Sequence, residues 1–209
     1  MGSRGIGGMD AKQMTVDRFV VLESDDEKMR VLSDSSCPVD VIRQGSEDEA
    51  WEVREAAVGN LSAPEDVIRA GVEDESVWVR RAAVGNPRAL EDVIRAGVED
   101  ESDRVRAAAA RHLSAPEDVI RAGVQDESAH VRKAAVGNLS APEDAIRAGV
   151  GDRNEWVRAA AARHLRLPED VAERLSRSEV AEIQEALAEN PVVPERIRVV
   201  ARLKAPGRT

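Results

Sequence analysis

Residues whose side chains could carry out chemistry are scarce in this sequence, which contains one cysteine and three histidines. The histidines His112 and His164 are 52 residues apart, which is two copies of an internal repeat described below, and at roughly 10 Å per stacked copy they cannot share one metal ion. The sequence contains no nucleophile elbow, no phosphate-cradling glycine loop and no His-Glu-x-x-His motif. We therefore predict a chain that is not an enzyme, without a metal or cofactor, in which His112 and His164 cap helix ends.

The composition is that of a folded protein, since 42% of the residues are hydrophobic and 33% are charged. The net charge of -10 disfavours nucleic acid as a partner, because a phosphate-binding surface is normally basic. The sequence has neither an apolar run long enough to span a membrane nor an apolar stretch typical of a secretion signal. We expect a cytoplasmic protein that does not contact a membrane.

The dominant pattern is an internal repeat of 26 residues, present in about seven copies. A Val-Arg pair recurs with this period at Val53-Arg54, Val79-Arg80, Val105-Arg106, Val131-Arg132 and Val157-Arg158. Prolines follow the same period at Pro38, Pro64, Pro116, Pro142, Pro168 and Pro194, and glycines at Gly45, Gly71, Gly97, Gly123 and Gly149. Such a period is typical of a solenoid of stacked units.

Each copy predicts two helices. Residues Asp74 to Asn86 place Val79, Ala82 and Ala83 on one buried stripe, with Asp74 as a possible N-cap and Gly85-Asn86 as a left-handed end. A second helix of about two turns begins at Pro64, whose ring suits the first helical turn. Helices this short need stacking for stability.

The domain organisation follows from the repeat. We expect residues 1–13 to be disordered or derived from a tag, and residues 14–209 to form a single repeat domain. Within it, residues 14–45 form an N-terminal cap and partial repeat, residues 46–175 five full repeats, and residues 176–209 a C-terminal cap. The terminal copies lack the Val-Arg pair, as caps of repeat proteins often lack consensus residues.

The motif Asp-x-x-x-x-Val-Arg-x-x-Ala-x-x-Asn-Pro, followed by Leu-Pro-Glu and an apolar helix, resembles the leucine-rich repeat variant family over residues 26–203. The resemblance implies an all-α, right-handed helical solenoid in which each repeat pairs an α-helix with a short α or 3₁₀ helix. HEAT-like repeats, with two fuller helices per unit, are the alternative architecture. A founding member of the family carries an iron–sulfur cluster, but Cys37 alone cannot supply four thiolates.

Comparison of the copies separates a constant framework from variable positions on one helical stripe, away from the buried Val and Ala residues. We call these positions the variable face and predict that it binds a protein or peptide, because Trp and Arg are enriched in binding hot spots. The variable face comprises Trp51, Glu52, Glu55, Trp78, Arg81, Arg104, Arg111, His130, Lys133, Trp156 and Arg163. Drift after recent duplication is the competing explanation. No small-molecule substrate is expected, because alanine-rich stacking leaves little room for a pocket.

The constant arginines of the Val-Arg pairs predict structural pairing with the constant acidic columns at Asp66 and Asp74. An arginine track for nucleic acid is the alternative, but residues 73–98 carry four arginines against five acids, a local charge of -1. A HEAT-like repeat enzyme is a further alternative. Such an enzyme would require one copy that departs from the others around a pocket.

Overall fold

The computed structural model describes residues 11–205, in which all regular secondary structure is helical. The chain divides into two compact units, Met1–Val105 and Arg106–Thr209, which are described separately. Unit 1 contains α1 (Val16–Val20), α2 (Asp25–Leu32), α3 (Val39–Gly45), α4 (Trp51–Val58), α5 (Glu65–Gly71), α6 (Val77–Gly85) and α7 (Glu91–Ala96). Helix α8 (Asp103–Arg111) includes the boundary, and unit 2 continues with α9 (Glu117–Val124), α10 (Ala129–Val136), α11 (Glu143–Val150), α12 (Glu155–Arg163), α13 (Glu169–Leu175), α14 (Ala181–Glu189) and α15 (Glu195–Lys204).

The second helix of each repeat is α-helical, and in one repeat α7 continues into a 3₁₀ helix at Gly97–Glu99. Its inward face carries an isoleucine column that is fully buried, with Ile42, Ile68 and Ile94 in unit 1 and Ile120 and Ile146 in unit 2. The facing positions of the first helix are Val and Ala, such as Val131 and Ala135. This core of small aliphatic side chains supplies the stability that helices of two turns lack alone.

The described chain begins with a short helix. Residues Ala11–Gln13, which we expected to be disordered or tag-derived, form a 3₁₀ helix with Ala11 buried. Residues 1–10 lie outside the described residues. No helix within residues 11–205 has the length and apolar character that crossing a bilayer requires.

The prediction that the aspartate column caps the first helices was wrong. The N-cap positions are Ala50, Ser76, Ser128 and Asn154, which follow the aspartates by two residues. Instead, Oδ1 of each aspartate accepts the amide of the residue two positions on, as from Asp74 to Ser76 at 2.8 Å. This local turn holds the carboxylate beside the preceding repeat, where it has a second role described below.

The prediction of left-handed glycines at the helix ends was also wrong. Gly59 and Gly137 have φ angles of -77° and -81°, and Gly85 is the last helical residue of α6. The chain leaves the helix at the following asparagine, where Asn86 is extended with φ -66° and ψ 128°. The side chain of Asn86 then accepts the amide of Arg88 at 2.9 Å, which turns the chain without a positive φ.

The glycine column at the end of the second helix allows close packing. A Cβ at Gly149 would lie 2.6 Å from Cγ1 of Val136, whereas a Cβ at Gly85 would meet nothing within 4 Å. We expect Gly149→Ala to lower the free energy of unfolding by about 1–3 kcal/mol through overpacking. The matched change Gly85→Ala should raise it by about 0.5–1 kcal/mol. Urea unfolding of both variants checks the pair, and losses of equal size would contradict the packing explanation.

Candidate binding surface

The framework arginines form a buried ladder with aspartates of the following repeat. Arg132 donates from Nε to Asp152 Oδ2 at 2.7 Å and from Nη2 to Oδ1 at 3.0 Å. Its Nη1 donates to the backbone carbonyls of Asp126 and Glu127. The same arrangement joins Arg54 to Asp74, Arg80 to Asp100 and Arg106 to Asp126. The predicted structural pairing with the Asp74 column is therefore confirmed.

The ladder begins one repeat earlier than the Val-Arg pattern indicates. Lys28 lies 26 residues before Arg54, and its Nζ lies 2.7 Å from Oδ2 of Asp48. Both side chains are nearly buried, at 17% and 13% exposed. The first copy thus keeps the ion pair with a different cation, which the search for Val-Arg pairs missed.

Burial and hydrogen bonding act in opposite directions on the ladder aspartates. Burial alone would raise the pKa of Asp74, but hydrogen bonds from Arg54 and from the Ser76 amide outweigh it and lower the pKa. The hydrogen bond to Asp74 likewise raises the pKa of Arg54 against the effect of burial. The pair of Arg54 and Asp74 therefore remains ionised near neutral pH.

A second ladder runs over the exposed side of the second helices. It pairs Arg43 with Asp66 and Arg69 with Asp92 in unit 1, and Arg121 with Asp144 and Arg147 with Asp170 in unit 2. The Asp66 column therefore pairs with a different arginine column from the one we predicted. These side chains are between 43% and 66% exposed, so solvent screens their attraction.

Buried asparagines form a third ladder at the ends of the first helices. In unit 2, Nδ2 of Asn138 donates to the carbonyls of Ala110 and His112, both at 2.9 Å. In unit 1, Asn86 contacts the carbonyls of Val58 and Asn60 in the same way. His164 occupies the equivalent position, with Nε2 2.9 Å from the Asn138 carbonyl and Nδ1 accepting the Arg166 amide. The predicted helix-end role is thus confirmed for His164, and His112 accepts the Ser114 amide in the same turn.

In unit 1 the structure brings the predicted aromatic and basic residues of the variable face together. The rings of Trp51 and Trp78 stack with their centroids 6.3 Å apart and an interplanar angle of 24°. The guanidinium carbons of Arg104 and Arg81 lie 4.7 Å and 5.9 Å from the Trp78 ring centroid. Trp51 remains 36% exposed. The result is a preformed Trp and Arg cluster at the surface.

The two acids of the variable face lie beside this cluster. Glu52 and Glu55 are half-buried on α4. Burial raises the pKa of Glu55, and the charge of Glu52 adds to this effect, while Arg81 opposes it. Glu55 and Arg81 are thus electrostatically coupled across neighbouring repeats.

In unit 2 the variable face is exposed and basic. Trp156 is 51% exposed, and His130, Lys133, Arg111 and Arg163 are also exposed. Within residues 11–205 the side chains of Lys133, Arg111 and Arg163 take part in no ion pair, in contrast to the framework arginines. Helix caps fix the positions of two of these residues, since the amides of His130 and Trp156 bond to Ser128 and Asn154.

The predicted solvent-facing stripe is not uniform. Ala107 and Ala159 belong to the Glu55 column, yet both are buried at 1% and 0% exposed. Long side chains in this column extend to the surface, whereas alanine stays within the packing layer. Because the structure describes two units separately, a strip that is continuous over five repeats remains a prediction.

Sequence reasoning missed a column of exposed leucines that follow the asparagines and histidines. Leu113, Leu139 and Leu165 in unit 2 are 76%, 62% and 53% exposed, and Leu61 in unit 1 is 61% exposed. The 26-residue period of these leucines was the available signal.

The remaining groups that could carry out chemistry are a cysteine, possible metal ligands and the residues of one groove. Cys37 is buried, which raises the pKa of its thiol to about 11. In residues 11–205 there is no group of three His, Cys, Asp or Glu side chains placed to hold a metal ion. An open groove of about 430 Å³ in unit 2 is lined by Arg132, Asp152 and Arg153 among others, but Arg132 is already bound by Asp152 and backbone carbonyls.

Comparison with known proteins gives relatives in structure alone. Neither a protein-family model nor a curated protein matches the chain. The X-ray structure of YibA from E. coli matches with a TM-score of 0.57 and 17% identity, over 91% of this chain and 86% of that one. A structure titled "a leucine-rich repeat variant with a novel repetitive protein structural motif" matches with a TM-score of 0.47 and 21% identity, over 88% of each chain.

The match to YibA has the higher TM-score of the two and supports the all-α repeat architecture predicted from the 26-residue period. At 17% identity the likeness concerns the fold alone. This chain is a helical repeat protein with the fold of an all-α solenoid.

Proposed function

We propose that this chain is a non-catalytic repeat scaffold that binds a protein or peptide partner through the variable face. The observation that carries the proposal is the cluster in unit 1, where Arg104 and Arg81 flank Trp78 and Trp51 stacks beside it. An arginine stacked on an aromatic ring is held in place while its N–H groups stay free for a carboxylate. Such a cluster offers a partner both apolar contact and directed hydrogen bonds.

Unit 2 supports the proposal independently, since it presents the exposed Trp156 with Lys133 and Arg163. In the framework, arginines are paired with aspartates, whereas these basic residues have no acidic partner in the described chain. Unpaired positive charge on a face that also carries an exposed tryptophan favours a partner segment that contains acidic and apolar residues. The overall charge of -10 still disfavours nucleic acid.

The test is affinity capture from the lysate of the source organism, followed by binding measurements with the captured protein. We expect the double variant Trp78→Ala, Arg104→Ala to bind that partner about thirtyfold more weakly or worse, because hot-spot truncations cost roughly 2 kcal/mol or more. The variant Trp156→Ala tests the face of unit 2 separately.

The control is Leu113→Ala with Leu139→Ala, which removes exposed apolar surface outside the variable face. This control should bind like the wild type, and thermal unfolding should show that every variant is folded. Unchanged binding by the Trp78 and Arg104 variant would contradict the proposal and favour drift as the origin of the variable positions.

A further inference from the structure

Arg158, the last arginine of the buried ladder, makes the same backbone contacts as the other arginines but has no aspartate partner in the described chain. Nη1 of Arg158 donates to the carbonyls of Asp152 and Arg153 at 2.8 Å and 3.2 Å. Arg132 makes the equivalent pair of bonds at 3.0 Å and 2.8 Å, one repeat earlier. The guanidinium of Arg158 is therefore held by its backbone contacts as that of Arg132 is.

The partner position differs between the two rungs. Arg132 binds the aspartate twenty residues later, Asp152, through Nε and Nη2. Twenty residues after Arg158 the chain has Ser178. The next acid, Glu179, is 3.3 Å from Lys204 Nζ, and no carboxylate of the described chain pairs with Arg158. The Nε and Nη2 groups of Arg158 thus lack the carboxylate that the same groups of Arg132 bind.

Ser178 nevertheless makes the same turn as the aspartates. Its Oγ accepts the amide of Val180 at 3.2 Å, as Oδ1 of Asp152 accepts the amide of Asn154 at 2.7 Å. Because the hydroxyl oxygen acts as the acceptor, its proton is left to donate outward. Serine has a single hydroxyl where the aspartates have a carboxylate, so the second oxygen that binds the guanidinium in the other pairs is absent here.

We propose that Arg158 and Ser178 form a binding site for a phosphate group, either free or as a monoester. The guanidinium supplies two parallel N–H donors, the geometry that suits bidentate recognition of a phosphate. The Ser178 hydroxyl supplies a third donor, which matches a group with several acceptor oxygens. The site lies outside the variable face, so the proposal does not depend on the proposed function.

The experiment titrates inorganic phosphate into the full chain at constant ionic strength, with chloride as the balancing anion. The readouts are the NMR signals of the arginine Nε–H groups and the melting temperature. We expect a saturable shift at Arg158 with a Kd in the millimolar range, a rise in melting temperature, and no shift at Arg132. Glycerol phosphate in a parallel titration distinguishes a monoester from the free ion by the lower Kd.

Three variants make the assignment specific. Arg158→Gln should lose the response to phosphate. Ser178→Asp should raise the melting temperature and also lose the response to phosphate, because the new carboxylate binds Nε and Nη2 of Arg158. Asp152→Ser should remove the carboxylate that binds Nε and Nη2 of Arg132, and the NMR signal of Arg132 should then shift with phosphate. Ser178→Asp keeps the proposal testable if Asp152→Ser does not fold.

The proposal fails if phosphate leaves the Arg158 signal unchanged, or if chloride at equal ionic strength shifts it equally. It also fails if phosphate still raises the melting temperature of the Arg158→Gln variant. The same holds if Ser178→Asp neither stabilises the chain nor removes the response to phosphate. Binding of either phosphate species that depends on Arg158 would support it.

Discussion

Replacement of Asn138 with alanine should lower the free energy of unfolding by about 3 kcal/mol, because it removes three hydrogen bonds to the backbone at a buried position. The side chain is 3% exposed and donates to the carbonyls of Ala110 and His112. Its Oδ1 also accepts the amide of Ser140 at 2.8 Å. The His112 carbonyl also accepts the amide of Ala115 at 2.9 Å. The loss therefore falls mainly on the Ala110 carbonyl and the Ser140 amide. Urea unfolding followed by circular dichroism measures the loss as a lower midpoint.

The matched control is Asn138→His, since histidine occupies the same position in other copies. His164 accepts the Arg166 amide through Nδ1 and contacts the Asn138 carbonyl through Nε2. We expect this variant to lose less than half as much stability as the alanine variant. Equal losses would show that the column acts through packing volume and not through its hydrogen bonds.

The two arginine ladders should differ in strength because they differ in burial. Arg132 is 6% exposed, and Arg132→Leu would remove its bonds to two carbonyls and leave Asp152 unpaired. We expect a loss of about 3 kcal/mol, near the lower end for removal of one partner of a buried ion pair. The exposed rung Arg147–Asp170 provides the comparison, and Arg147→Leu should cost less than about 1 kcal/mol.

Chemical denaturation of the two leucine variants at neutral pH measures this contrast. Each variant keeps an apolar stem, so the loss of the guanidinium is the main change. If Arg147→Leu destabilised the chain as much as Arg132→Leu, the division into a buried structural ladder and an exposed weak one would be incorrect.

The fold could be predicted because the 26-residue period shows which residues of neighbouring copies lie next to each other. Residues of opposite charge, or of similar polarity, recur at matching positions of the copies. The pairing of Arg54 with Asp74 is an example, since both columns are constant and recur in phase. Similarly, the stacking of short helices followed from the helices being too short for independent stability. The period determined the neighbours of each residue, and elementary electrostatics then selected the partner.

The details at helix ends could not be predicted by treating each helix alone. The aspartate column met the sequence preference for an N-cap, and Gly59 met that for a left-handed C-terminus. In the structure the carboxylate binds an arginine from the preceding repeat, and Asn86 reaches back to the carbonyl of Val58. Contacts with the preceding copy therefore outweigh local preference at these positions.

The candidate binding surface was predicted only in part. The columns of the variable face were visible as differences among the copies, but the stacking of Trp51 on Trp78 depends on how neighbouring helices are spaced. The exposure of Ala107 and Leu113 could not be predicted either. Ala107 is buried and Leu113 is exposed because of how far each side chain extends from the packed helices.

The spacing of the ladder bonds has a consequence for how the chain folds. The arginine rungs join residues 20 apart, and the asparagine rungs join residues 26 and 28 apart. Each rung therefore closes a loop of nearly the same modest length, and a low contact order is associated with rapid folding. During synthesis a copy gains its capping partners only when the next copy has emerged from the ribosome. Within each unit, order can then spread from one neighbouring pair of copies to the next, without waiting for the rest of the chain.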